Sequence, residues 1–105
     1  ALSFGVDWQL SQGSPGEVLE NDPSQTQFSA KVASELVGPE KVYTNGTTYM
    51  GSEDFAFFTA QVPGSYCIIG NGDTPMVHNP DYRFDERNLS VGAAYWIALT
   101  EAFLK

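Results

Sequence analysis

The chain opens on an alternation of apolar and polar positions. Leu2, Phe4, Val6, Trp8 and Leu10 are separated by Ser3, Gly5, Asp7 and Gln9. This period of two predicts a strand with one buried face. Ser11, Gln12, Gly13, Ser14, Pro15 and Gly16 break the pattern and predict a turn or linker, so a boundary is placed there. The period then changes. Phe28, Val32 and Leu36 fall at helical spacing with Ala33 and Val37 beside them. Asp22 suits the cap of that helix, Pro23 its first position, and Gln25 stands where a capping-box partner would. Gly38-Pro39 predicts its end.

Lys41, Val42, Tyr43 and Thr44 predict a short strand, followed by the turn signal Asn45-Gly46. Ser52 is expected to cap a second short helix over residues 53–60, with Phe55 and Phe58 on one face and Glu53 and Asp54 in the first turn, where the helix dipole favours negative charge. Pro63-Gly64 leads into the β-branched and aromatic run 65–69. The loop 71–80 holds His78 among Gly72, Pro75 and Pro80. A last helix is expected from Asp85 or Asn88 to Leu104, with Leu89, Ala93, Trp96, Ile97, Phe103 and Leu104 as its apolar stripe. After residue 16 the order is helix, strand, helix, strand, helix, which predicts an α/β layer. Two or three strands are too few to complete such a layer, and the sheet is expected to continue in sequence outside these 105 residues.

Composition narrows the classes. A chain of 105 residues makes at most one small domain. Its hydrophobic share of 42%, with seven Phe, five Tyr and two Trp, suits a packed core rather than disorder. A net charge of −8 with five Lys and Arg argues against a nucleic-acid partner. No apolar run approaches the ~20 residues of a spanning helix, and no signal peptide is visible. The single cysteine fits a reducing, cytoplasmic setting. Asn45-Gly46-Thr47 and Asn88-Leu89-Ser90 match a glycosylation pattern that chance explains.

His78, the only histidine, follows a buried-type strand in a loop, a usual place for functional groups. Neutral imidazole is a common zinc ligand. Taken alone, a loop histidine is more often a solvated or structurally hydrogen-bonded group than a ligand, and a metal needs about three or four ligands. Glu53 and Asp54 read either as substrate-orienting carboxylates or as ordinary acids of a first turn. Gly51 and Ser52 could present free N–H groups to an anion such as a substrate carboxylate. Asp81, Asp85 and Glu86 could orient the imidazole or form a solvated helix entrance. Cys67 reads as a small buried hydrophobe, and a Cys67–His78 pair lacks an identifiable orienting group.

Taken together, several words in the chain resemble one family. They are Asn21-Asp22, Met50-Gly51-Ser52-Glu53-Asp54-Phe55, Val62-Pro63-Gly64, Ile69-Gly70, Val77-His78-Asn79-Pro80 and Phe84-Asp85-Glu86, followed by Leu89, Gly92 and Ala93. In order and spacing over residues 17–104 the chain resembles the C-terminal part of the catalytic domain of the zinc aminoacylase/carboxypeptidase superfamily. The nearest branch is that of hippurate and indoleacetyl-amino-acid hydrolases.

The resemblance implies a partial layer of a two-metal, exopeptidase-like α/β fold, preceded by one strand of an inserted lid domain. Residues 1–12 would be that last lid strand, 13–16 the hinge, and 17–105 the C-terminal part of the catalytic domain. His78 would be a metal ligand. Gly51, Ser52, Glu53 and Asp54 would form a turn near the substrate. No catalytic residue would lie in this stretch, which would be inactive alone. The parent would hold two divalent cations (Zn, Mn, Co or Ni), pair as a homodimer through its lid, and hydrolyse N-acyl amino acids. A carboxypeptidase or an N-acetyl-diaminopimelate-type deacetylase on the same scaffold, and a non-catalytic binding module, are the rival expectations.

Overall fold

The computed structural model describes residues 4–13, 16–46 and 48–105. Ala1, Leu2 and Ser3 of the expected first strand, Ser14 and Pro15 of the expected hinge, and Thr47 lie outside the described residues.

Helix α1 spans Pro23–Val37 and begins where the sequence places it. The Asp22 carboxylate accepts the Gln25 N–H at 2.9 Å and the Ser24 hydroxyl at 2.6 Å. It thereby satisfies one of the N–H groups that a helix start leaves open. Pro23 takes the first position, where a missing N–H costs nothing. At the other end Gly38 turns to φ 95° and donates its N–H to Ser34 O at 3.0 Å. A 3₁₀ turn, Pro39–Lys41, follows directly. Helix α2 is the single turn Ala56–Thr59, and α3 runs Arg87–Phe103.

α1 and α3 pack against each other. The Tyr95 hydroxyl of α3 donates to Ser29 O of α1 at 3.2 Å. Run 65–70 joins this pair: the Ser29 hydroxyl donates to Ser65 Oγ at 3.1 Å. At Gly92 of α3 an added methyl would lie 3.7 Å from Ile69 Cδ1.

The expected α/β layer of helix, strand, helix, strand, helix is not found among the described residues. The described residues contain helices but no strand. A strand exists only by pairing its N–H and C=O groups with a neighbour, and here the expected strands meet side chains or nothing. Residues 65–70 are held by asparagines (below), and Lys41 joins the 3₁₀ turn. In the opening run Gly5 has φ 61°, and Phe4, Val6, Trp8 and Leu10 all stay exposed. The alternation in that run is real, but no described surface covers its apolar side.

The apolar stripe expected on α3 also faces the other way. Gly92, Tyr95, Leu99 and Ala102 point inward, whereas Leu89, Trp96 and Ile97 are 60–70% exposed. α3 is therefore apolar on two sides. Only Val32, Ala56 and Tyr95 are buried hydrophobics among the described residues. The radius of gyration, 19.1 Å, exceeds the ~13 Å of a compact chain of this length.

Candidate functional site

Glu53 is held from two sides. Its main-chain carbonyl accepts the Ala56 N–H at 3.1 Å, closing the turn that starts α2. Its carboxylate accepts the Phe55 N–H at 3.3 Å on Oε1 and the Tyr66 hydroxyl at 3.0 Å on Oε2. The residue that trims this helix start is thus Glu53 and not Ser52, because α2 begins at Ala56, too late for a cap at position 52. The hydrogen bond to Glu53, then burial and the negative charge, push the Tyr66 phenol above its ordinary pKa. The Phe55 ring centre lies 5.9 Å from those of both Tyr66 and Phe58.

Tyr66 is itself fixed by Asn21. The Asn21 side chain accepts the Tyr66 N–H at 2.7 Å and donates to the Tyr66 carbonyl at 2.9 Å. Next to it the Asp22 N–H donates to Gly64 O at 2.9 Å. The start of α1 therefore places the aromatic ring that meets Glu53. Gly51, Ser52 and Asp54 are exposed, and Asp54 contributes only its carbonyl, to Phe57 N–H at 3.1 Å.

His78 occupies an exposed loop at φ 72°, the one left-handed residue other than glycine among those described. Such a backbone is uncommon for any residue with a Cβ, and histidine tolerates it better than most. The loop is closed at its base by Asn71. That side chain donates to Arg83 O at 2.6 Å and accepts the Asp85 N–H at 2.8 Å. Arg83 N–H donates to Thr74 Oγ1 at 3.0 Å, and Asn88 donates to Gly70 O at 3.1 Å. Asn88, half-buried in this bonding, serves the fold and is a poor glycan acceptor.

The acids near His78 are engaged elsewhere. The Asp85 carboxylate takes the Arg87 guanidinium at 2.6 to 3.1 Å, a contact that keeps Asp85 below the usual carboxylate range and raises Arg87. Asp81 offers only its N–H, to Asn79 Oδ1. Among the described residues no hydrogen bond joins His78 to Glu53 or Asp54, and no three His, Cys, Asp or Glu side chains gather as a metal site. The described residues thus hold no complete cation site by themselves. Cys67 is exposed, and the group its thiol influences is the Tyr95 hydroxyl. Burial first, then Cys67, raises the Tyr95 pKa.

Three residues with a clear part in this geometry, Asn21, Tyr66 and Asn71, had no role assigned from sequence. Local pattern gives no signal for the Tyr66–Glu53 pair, which spans 13 positions. The two asparagines stand beside the ends of an extended run, where amide side chains often take backbone partners.

Three comparisons bear on this arrangement. Residues 4–102 match the model of peptidase family M20/M25/M40. The chain is 28% identical over its whole length to hippurate hydrolase of Campylobacter jejuni, covering 27% of that protein. It is 35% identical over 89 residues to IAA-amino acid hydrolase ILR1-like 6 of Arabidopsis thaliana, covering 80% of this chain and 19% of that one. It is 28% identical over 87 residues to N-acetylcysteine deacetylase of Bacillus subtilis, covering 83% of this chain and 22% of the relative. The chain thus spans about a quarter of the length of these relatives. No solved structure matches it.

Proposed function

The chain belongs to peptidase family M20/M25/M40, and on that premise we propose that it forms the C-terminal part of a metal-dependent amidohydrolase acting on N-acyl amino acids. Residues 17–105 would complete a catalytic domain, 1–12 would belong to an inserted lid through which the enzyme pairs, and 13–16 would be the hinge. The relatives' names support the substrate class: hippurate, indoleacetyl-amino acids and N-acetylcysteine are all N-acyl amino acids. The single cysteine suits a cytoplasmic enzyme.

One observation carries the reading at the level of residues. The only histidine stands exposed, in a strained backbone, on a loop closed by Asn71. Strain of this kind persists where surrounding structure holds it and gathers at functional sites. His78 would hold one of two divalent cations (Zn, Mn, Co or Ni), with the remaining ligands and the general base outside these residues. Bound there, such cations lower the pKa of a water and polarise an amide carbonyl. Glu53 would face the substrate, and the N–H groups of Gly51 and Ser52 would meet its carboxylate, with Asp54 on the same turn.

The test is His78→Ala in the complete enzyme, read by metal content and by hydrolysis of hippurate. The expected result is loss of one metal equivalent together with turnover. Wild-type stoichiometry and rate would falsify the assignment.

A further inference from the structure

Tyr66 does more than pack. Its hydroxyl donates to Glu53 Oε2 at 3.0 Å, its ring rests 5.9 Å from Phe55, and its backbone is bracketed by Asn21. A glutamate in an exposed turn otherwise samples many rotamers. Here one oxygen is tied to the Phe55 N–H and the other to the phenol. An ionised carboxylate has about four acceptor positions. Two are filled, and the other two are left in a fixed orientation for a donor on a ligand.

We infer that Tyr66 is a positioning residue, whose phenol aims the Glu53 carboxylate at a hydrogen-bond donor of the substrate. This inference rests on the reading above that Glu53 faces the substrate. Asn21 extends the same arrangement one step further, because it fixes the backbone from which the phenol projects. The route is physical and continuous: α1 start, Asn21 amide, Tyr66 backbone, Tyr66 hydroxyl, Glu53 carboxylate. The raised phenol pKa of Tyr66 agrees with a proton that stays on the hydroxyl and is donated to Glu53.

The substitution Tyr66→Phe keeps the ring and the backbone bracket and removes only the donor. It is compared with Glu53→Gln and with the double variant in the complete metal-loaded enzyme, with hippurate as substrate. Tyr66→Phe is expected to lower kcat/KM roughly 5- to 10-fold, as befits the net value of one solvent-exposed hydrogen bond. In the Glu53→Gln background it should add less than about 2-fold, since residues acting as one unit are not additive. A second arm leaves position 66 intact: the ring carbon of labelled Tyr66 should titrate above the ordinary phenol range in the parent and return toward it in Glu53→Gln. Losses that multiply in the double variant overturn the inference, as does a Tyr66 titration indifferent to Glu53→Gln. An impaired Glu53→Gln beside an unimpaired Tyr66→Phe overturns it alone. A Glu53→Gln enzyme with the parent's kcat/KM overturns the substrate-facing reading, and the inference with it.

Discussion

Asn21 brackets Tyr66: one amide side chain accepts the tyrosine N–H at 2.7 Å and donates to its carbonyl at 2.9 Å, across 45 positions of sequence. It does for one residue what a neighbouring strand does for several. Asn71 repeats the device at the base of the His78 loop, between Arg83 O and Asp85 N–H.

Removal of the Asn21 amide should therefore be felt. Asn21→Ala is expected to destabilise the protein by about 1–2 kcal/mol, the net worth of two such bonds. Asn21→Asp keeps the acceptor and should lose roughly half as much. Urea midpoints measure both, and an alanine variant as stable as the parent would show that water replaces the bracket.

The Asp22 cap gives an acid limit. Its carboxyl is held below the ordinary range, first by the Ser24 hydroxyl and then by the Gln25 N–H. A carboxyl lowered in the folded state contributes stability above its unfolded pKa, near 3.9, which is lost as pH falls through the folded value. α1 should thus loosen below about pH 4. Asp22→Ala should lower the Tm by roughly 4–8 °C at neutral pH and flatten this acid response, as followed by circular dichroism.

Tyr95 sets an alkaline one. Its phenol is raised by burial between α1 and α3. A phenol raised in the folded state leaves stability intact below its unfolded pKa, about 10, and stability falls as pH climbs through the folded value. Tyr66 adds in the same direction. The urea midpoint should drop above pH 10, and less steeply in Tyr95→Phe, which should itself cost about 1 kcal/mol at neutral pH. Equal slopes for the two proteins would remove Tyr95 from this account.

His78 sits where glycine is at ease. His78→Gly should relieve the strain of φ 72° and leave stability unchanged or up to ~1 kcal/mol higher, the gain offset by a looser unfolded chain. One metal equivalent should be lost in the same variant of the complete enzyme. Thermal unfolding and metal analysis separate the two effects. A marked loss of stability would mean that the imidazole packs for structure.

The 105 residues alone should bind zinc weakly and self-associate. One histidine does not close a cation site, and Phe4, Val6, Trp8, Leu10, Leu89, Trp96 and Ile97 are all exposed. Calorimetry with Zn²⁺ and sedimentation velocity test the two halves. A single sub-micromolar site, or a clean monomer at tens of micromolar, would count against the reading of an incomplete domain.

What was legible follows from range. Asp22, Pro23 and Gly38 mark α1 correctly because caps act within a few residues. The words that carry the family resemblance are equally local, and the family match bears out that resemblance. The strands failed as elements because pairing depends on a partner that no nearby residue reveals. On α3 the periodicity was real, but Trp96 and Tyr95 advertise two faces of similar apolarity, and sequence does not say which one meets α1. Cys67 misled for a related reason: an apolar neighbourhood such as Tyr66, Ile68 and Ile69 reads as interior, yet all three remain exposed.

The amide at position 21 also constrains assembly. In an extended segment, consecutive residues offer their hydrogen-bonding groups to opposite edges. Both main-chain groups of Tyr66 are taken by Asn21 and the Gly64 carbonyl by the Asp22 N–H, so these positions are closed to a pairing neighbour. A side chain just ahead of the first helix thus occupies the main-chain groups through which another chain could add on at this point.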